Sequence, residues 1–225
     1  MFPDAILSRA CSGLSLSAAD TVWLLDIGHL CWVLLYVLAT YLLGAIPTGY
    51  IVAKQAKGID IREHGSGNPG ATNVFRVVGK KEGLLTLLLD FLKGLLPVML
   101  ARVYVFPEAY WVHLLVAMAP SVGHSRSVFL NFKGGKSAIT SLGIIFGLAP
   151  LGGLLLAIIA GTIIYVTRYV SVGSMIAALL TPLLLGWLGY PVPYIMLAAV
   201  CGLLVVVLHR PNIQRLLQGT ENRIS

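Results

Sequence analysis

Apolar residues run along this chain in blocks of roughly 17–22, the length that crosses a bilayer core at the rise of an α-helix. The blocks fall at about 32–53, 84–106, 110–125, 138–149, 151–167, 172–189 and 192–208. Gly44 and Pro47 predict a kink in the second half of the first block. Only Pro150 and its glycine-rich neighbours separate the fourth from the fifth, and the third and fourth are short. A hairpin over 138–167 that does not fully cross would reduce seven crossings to five. The pattern therefore predicts an all-α membrane protein, a polytopic helical bundle of about seven transmembrane helices. Residues 1–30 stand apart. They carry Arg9 and three aspartates, and no clean apolar core ending in a small-residue cleavage site, so a cleaved signal peptide is not expected. They are read as an N-terminal extension, and 31–225 as a single membrane-integral domain.

Composition agrees with the pattern. Hydrophobic residues make up 57% of the 225 and charged residues 11%, too little charge to cover a soluble protein of this size. The net charge of +7 raises nucleic acid as a partner. Its distribution removes that reading, because 13 of the 16 basic residues lie in 54–83, 124–137, 168–171 and 209–225. With seven crossings these polar segments share one side. The positive-inside rule then makes that side cytoplasmic, with the N-terminus outside and the C-terminus cytoplasmic. Cys11, Cys31 and Cys201 are scattered, with no CxxC and no nearby histidine pair, so they read as small apolar residues and no metal site is expected.

The polar segments carry the candidate chemistry. The densest stretch is Gly65-Ser66-Gly67-Asn68-Pro69-Gly70-Ala71-Thr72-Asn73-Val74-Phe75-Arg76. Its glycines and proline argue against a regular helix and let backbone N–H groups approach a ligand. Ser66, Asn68, Thr72 and Asn73 add short neutral hydrogen-bonding groups, and Arg76 a fixed cationic fork, a set suited to phosphate. A second segment holds Lys133-Gly134-Gly135-Lys136. A third pairs His209 with Asn212 at the end of the last block; the histidine is a candidate base, oxyanion donor or phosphate ligand, or simply an interfacial residue. Asp90 and Lys93, three apart within an apolar block, fit a neutralising pair or a direct role. His29, His64 and His113 read as ordinary polar residues, with His124 intermediate.

Formal motif matches fail. Gly65-x-Gly67-x-x-Gly70 follows no strand, and the first glycine a P-loop requires before Gly135-Lys136-Ser137 would fall at Leu130. No histidine precedes an aspartate by five positions, no paired acidic repeat offers a magnesium site, and no serine or cysteine sits in a recognisable nucleophile setting. Direct transfer between two bound substrates is the simpler expectation for an enzyme.

Together, Gly44-Ala45-Ile46-Pro47-Thr48, the stretch 65–76, Phe132-Lys133-Gly134-Gly135-Lys136, and His209 with Asn212-Ile213 resemble the bacterial acyl-phosphate:glycerol-3-phosphate acyltransferases, in the expected order over about 36–218. The resemblance implies transfer of a fatty acyl group from acyl phosphate to the 1-position of glycerol 3-phosphate, giving lysophosphatidate, with neither acyl-CoA nor acyl carrier protein as direct donor. It implies no cofactor, membrane lipid as surroundings, no nucleic acid, and a functional link to an acyl-carrier-protein:phosphate acyltransferase. It places the protein in the bacterial inner membrane with a cytoplasmic-facing site. Carried over by motif, Ser66, Arg76, Lys136, His209 and Asn212 are the catalytic candidates. Gly65, Ser66, Gly67, Asn68, Gly70, Thr72, Asn73, Lys133, Gly134 and Gly135 are the substrate- and phosphate-binding ones. Ser137 stands where the family often has glycine, and Arg126 lies in a stretch usually less charged. The acceptor of the hydroxyl proton is open between His209 and the substrate's own phosphate. Competing readings are a transporter for an organic phosphate and a non-catalytic membrane scaffold.

Overall fold

The computed structural model describes residues 18–106 and 110–224. Arg9, Cys11 and the start of the N-terminal extension, and residues 107–109, lie outside the described residues. The chain divides into two units, Met1–Tyr36 and Val37–Ser225. Among the described residues there is no strand. The helices are α1 (Ala18–Ala45), α2 (Thr48–Lys57), α3 (Ala71–Val77), α4 (Lys80–Leu100), α5 (Tyr110–Ser125), α6 (Ala138–Leu148), α7 (Pro150–Thr167), α8 (Val170–Trp187), α9 (Val192–Leu208) and α10 (Arg210–Leu217). Each of the seven apolar blocks emerges as helix in its expected place.

Their lengths differ in what they allow. Ile27–Lys57, Lys80–Val105, Pro150–Thr167 and Val170–Trp187 are long and apolar enough to cross a bilayer, and α9 with α10 adds a fifth as a pair bent by 55°. The 11-residue α6 spans only about 16 Å, half of a hydrocarbon core. Length and composition thus support four to five crossings among the described residues, where the apolar blocks alone suggested seven.

In the second unit, α4 packs most extensively on α6, and α8 on α9 and α7. Glycine permits the tightest of these crossings. A Cβ at Gly94 would stand 2.2 Å from the Thr140 carbonyl oxygen, and one at Gly143 would stand 2.2 Å from that of Phe91. Two backbones in such contact exchange bulk for close packing, as membrane helices commonly do.

The expected kink near Gly44 and Pro47 is a full interruption between α1 and α2. Proline lacks an N–H, so carbonyls ahead of it lose their helical partners. The Ile46 carbonyl keeps one backbone donor, the Thr48 N–H at 3.0 Å, and two side chains from elsewhere add to it. Ser127 Oγ donates to the Ala45 carbonyl at 2.5 Å, and Lys93 Nζ donates to the Ile46 carbonyl at 3.1 Å. Lys93 is itself balanced by Asp90 Oδ1 at 2.8 Å, both side chains being almost fully buried. Asp90 also accepts from Thr48 Oγ, the first residue of α2. His124 Nδ1 lies 3.6 Å from the same carboxylate. Asp90 and Lys93 are therefore the brace of the broken helix.

Removing one partner of such a pair leaves an uncompensated buried charge. Asp90→Ala is expected to lower stability by about 3–5 kcal/mol, read as a large drop in the melting temperature of detergent-solubilised protein. An unchanged melting temperature would contradict the bracing role.

Candidate active site

The glycine loop is held by a small cap. Val52 and Ala53 from α2, Ile61 from a single 3-10 turn, and Val74 and Val78 from α3 and its end bury one another. Asp60 opens that turn, accepting from the Arg62 N–H and pairing with its guanidinium at 2.6 Å. This hydrogen bond from the Arg62 side chain holds the Asp60 carboxyl at about 2, well below its ordinary value. Between turn and helix, Gly65 and Gly67 adopt left-handed backbone at φ 61° and 69°, a conformation glycine takes without a Cβ penalty. Asn73 fixes the result. Its Oδ1 accepts from the Ser66 N–H at 2.9 Å, while its Nδ2 donates to the His64 carbonyl at 2.9 Å and the Ile61 carbonyl at 3.3 Å. Asn68 Oδ1 accepts from the Gly70 N–H in the same manner.

The expectation that 65–76 avoids helix holds only for its first half. The last glycine is Gly70, extended at φ −86° and ψ 165°, and α3 begins at the next residue. Nothing from Ala71 to Arg76 opposes helix formation, so Thr72, Asn73 and Arg76 are carried on a helical turn.

The second polar segment follows α5. Asn131, Phe132 and Ser137 all have positive φ, an irregular path for non-glycine residues. The arm is bonded to the last turns of α5: Gly134 N–H donates to the Ser125 carbonyl at 3.1 Å, Gly135 N–H to that of His124 at 2.9 Å, and Ser137 Oγ to that of Ser121 at 2.7 Å. This route presents Lys136, whose Nζ donates to Asn212 Oδ1.

The third segment is the elbow between α9 and α10. Pro211 in the first turn of α10 prevents α9 from continuing straight. His209 is buried at the corner and its Nδ1 meets the Val205 carbonyl at 2.7 Å. A carbonyl only accepts, so Nδ1 carries the proton and Nε2 presents a lone pair. Asn212 is held from behind: its Nδ2 donates to Glu221 Oε1 at 2.6 Å. Glu221 further accepts from Ser171 Oγ at 2.9 Å and from Arg215 Nε at 2.7 Å. The tail that carries it is tied down where the Ile224 N–H donates to the Arg168 carbonyl at 2.9 Å.

All three segments meet on one cavity of about 590 Å³ in the second unit. Ser66, Asn68, Gly70, Thr72, Asn73, Arg76, Lys136, His209 and Asn212 line it. Gly65, Gly67, Lys133, Gly134 and Gly135 do not; Lys133 is exposed, and the glycines shape the loops from behind. Sequence reasoning did not single out Glu221, Arg215, Ser171 or Lys80, which also line the wall. Apolar side chains line the same space, Leu142, Ile145, Leu156 and Ile164 among them. Burial lowers Lys136 to about 8, with the nearby Arg215 and Arg76 pushing the same way. Burial likewise lowers His209 to about 4, against the Val205 hydrogen bond. Burial pushes Glu221 up, but hydrogen bonds from Asn212, Arg215 and Ser171 outweigh it and leave the carboxyl below its usual value.

A cationic pocket continuous with an oily one, in a helical membrane protein, suits an enzyme handling amphiphilic anions. Comparison with known proteins says which. The family model described as glycerol-3-phosphate acyltransferase matches residues 34–219. A glycerol-3-phosphate acyltransferase from Halalkalibacterium halodurans is 44% identical over 196 residues, covering 84% of this chain and 94% of that protein. One from a Synechococcus species is 48% identical over 197 residues, covering 85% and 93%. The crystal structure of PlsY, an integral membrane glycerol 3-phosphate acyltransferase in its glycerol 3-phosphate form, superposes with a TM-score of 0.82 at 43% identity, over 86% of this chain and 96% of that one. Its lysophosphatidic acid form gives 0.80 at 42%, over 86% and 95%. The chain belongs to the PlsY family of glycerol-3-phosphate acyltransferases and is an acyltransferase.

Asn73 supplies three of the bonds that keep the glycine loop in shape, and its loss leaves a buried N–H or carbonyl unpartnered at about 1–3 kcal/mol each. Asn73→Ala is expected to speed amide exchange in residues 61–68 by tenfold or more, on the order of that cost. Exchange at the wild-type rate would contradict the role of Asn73 as the loop's staple.

Proposed function

We propose that this protein transfers a fatty acyl group from acyl phosphate to the 1-hydroxyl of glycerol 3-phosphate, releasing 1-acyl-glycerol 3-phosphate (lysophosphatidate) and inorganic phosphate. The reaction takes place at the cytoplasmic face of the bacterial inner membrane, in a catalytic unit of residues 31–225 with 1–30 as an extension. The observation that carries this reading is the meeting of Arg76, Lys136, His209 and Asn212 on one cavity that apolar side chains also line. The relatives' substrate, named in the solved glycerol 3-phosphate form of PlsY, supports it.

Each substrate has a phosphate, and one has a fatty chain. Arg76 and Lys136 hold the glycerol 3-phosphate head group, the guanidinium by its fork and the ammonium as a point charge. The acyl chain lies among the apolar residues, while Ser66, Asn68 and the loop N–H groups near Gly70 face the acyl phosphate head. Fixing hydroxyl against carbonyl supplies much of the acceleration. The hydroxyl oxygen attacks the acyl carbon, the bond from that carbon to the phosphate oxygen breaks, and N–H donors stabilise the transient oxyanion.

The proton goes to phosphate. At about 4, His209 is a weaker base than a phosphate monoester, whose second pKa is about 6. The phosphate of glycerol 3-phosphate, the monoester, thus takes the hydroxyl proton and passes it to the departing phosphate, and His209 accepts a hydrogen bond at Nε2 and orients the acceptor substrate. Acyl phosphate must be made elsewhere, which gives the functional link to an acyl-carrier-protein:phosphate acyltransferase.

Purified protein in detergent, given acyl phosphate and glycerol 3-phosphate, is expected to form lysophosphatidate without a sealed vesicle. Vesicle uptake of glycerol 3-phosphate with no new lipid would favour a transporter instead. Arg76→Lys keeps the charge and loses the fork, so KM for glycerol 3-phosphate is expected to rise about tenfold or more; wild-type kinetics would contradict the bidentate contact. The pH profile of kcat/KM carries both titrations. Lys136 has its charge below about 8 and loses it above, so the basic limb should fall near there. The acid limb should fall near 6, with the phosphate, and a limb near 4 instead would assign the proton to His209.

A further inference from the structure

We propose that His124 is a positioning residue: its imidazole is the floor on which the Gly134–Gly135 arm rests, and it sets the depth at which Lys136 enters the cavity. This inference rests on the assignment of Lys136 to the glycerol 3-phosphate site.

The geometry is specific to this side chain. His124 stands at the end of α5, its side chain 9% exposed. Its imidazole lies directly under Gly135. A Cβ built there would stand 2.1 Å from Nε2 and 2.9 Å from both Cδ2 and Cε1. The His124 carbonyl closes the same contact from the backbone side, accepting from the Gly135 N–H at 2.9 Å. It would also meet a Cβ at Gly134 at 2.0 Å. The two glycines are thus needed for close approach to His124, and neither lines the main cavity. His124 itself does line it.

The floor is rigid because of what lies beneath. Nδ1 is 3.6 Å from Asp90 Oδ1, and Asp90 is fixed by Lys93 and Thr48. The brace of the broken helix and the loop bearing Lys136 therefore touch through one ring. Beyond the glycines, Ser137 is anchored to Ser121, so Lys136 is held between two fixed points and only its height over His124 is left to set. Lys136 reaches Asn212 from this height. An error of about 1 Å in such a group is enough to cost up to a hundredfold in rate.

The test is a double-mutant comparison. His124→Ala removes the floor and is expected to raise KM for glycerol 3-phosphate about tenfold, with kcat changed far less. Gly135→Ala pushes the arm off the imidazole and should raise the same KM. Combining them gives the new methyl the vacated space, so the double variant should have a lower KM than Gly135→Ala alone. A purely stabilising His124 would lower the yield of folded protein and leave the KM of the folded fraction unchanged, and the double variant would be the worst of the three. Either result overturns the proposal. If His124→Ala does not accumulate, His124→Asn, shorter than the imidazole yet able to donate toward Asp90, carries the same comparison.

A second readout needs no turnover. The rate of amine labelling at Lys136, followed by peptide mass spectrometry, should rise several-fold in His124→Ala (or His124→Asn) as the lysine leaves its buried contact. An unchanged rate overturns the proposal even where kinetics are ambiguous. A wild-type protein that makes no lysophosphatidate would sink the assignment of the reaction, and the labelling comparison would still decide the role of His124.

Discussion

A backbone interrupted inside hydrocarbon must find its hydrogen bonds from side chains, and that requirement organises this structure. Each unsatisfied carbonyl in a bilayer costs several kcal/mol. At the interruption the Ala45 carbonyl is answered by Ser127, and the Ile46 carbonyl by the Thr48 N–H and Lys93. Using a lysine introduces a charge that is tolerable only with Asp90 beside it. Asp90 in turn fixes Thr48, the start of the helix that leads to the glycine loop. One local defect thus recruits α4, α5 and α2 to a single point. That point lies under the arm bearing Lys136.

The cavity resolves two opposed demands. Phosphate needs cations and donors, and a fatty chain needs neither. The chain brings both kinds of group to one space, lined by Arg76, Lys136, Asn212 and the glycine loop and by branched aliphatic residues. Burial strips water from Lys136, and the nearby Arg215 and Arg76 repel its charge, which is why it is lowered to about 8. Glu221 offsets part of this. It takes Arg215 and Asn212 as partners and leaves the other face of Asn212 to receive Lys136. The carboxylate thus organises the cationic wall of the cavity that it also lines.

Much of this was legible in the chain. Apolar blocks located the helices from α4 to α9 to within a few residues, because a membrane-embedded segment has to be continuous and apolar; the first block, expected at 32–53, is instead two helices, and α1 begins as early as Ala18. Gly44 and Pro47 located the interruption. The three polar stretches that meet at the cavity could be picked out by their glycines, lysines and short polar groups. Other features had no local signal. The helix at Ala71–Val77 was hidden because the glycines ahead of it dominate the stretch, although none lies within it. Glu221 sits in a short polar tail, and only the return of that tail to Arg168 gives the residue its meaning. Gly134 and Gly135 read as a phosphate cradle, since glycine and lysine together suggest one; their surroundings in the fold are the backbone and ring of His124. Asn73 read as a ligand because it is polar and near arginine, whereas its amide bonds to the loop on both sides. Spacing shows which groups are available, and only the fold shows which have already been used.

The central claim is that three separate stretches of chain make one anion pocket at the polar end of an acyl cavity. The most direct test is an experimental structure of this protein soaked with glycerol 3-phosphate. Its phosphate is expected within hydrogen-bonding distance, about 3 Å, of both Arg76 and Lys136, with the 1-hydroxyl turned toward His209 and the apolar cavity. A phosphate bound elsewhere, on the exposed lysines alone, with Arg76 and Lys136 both empty, would contradict it.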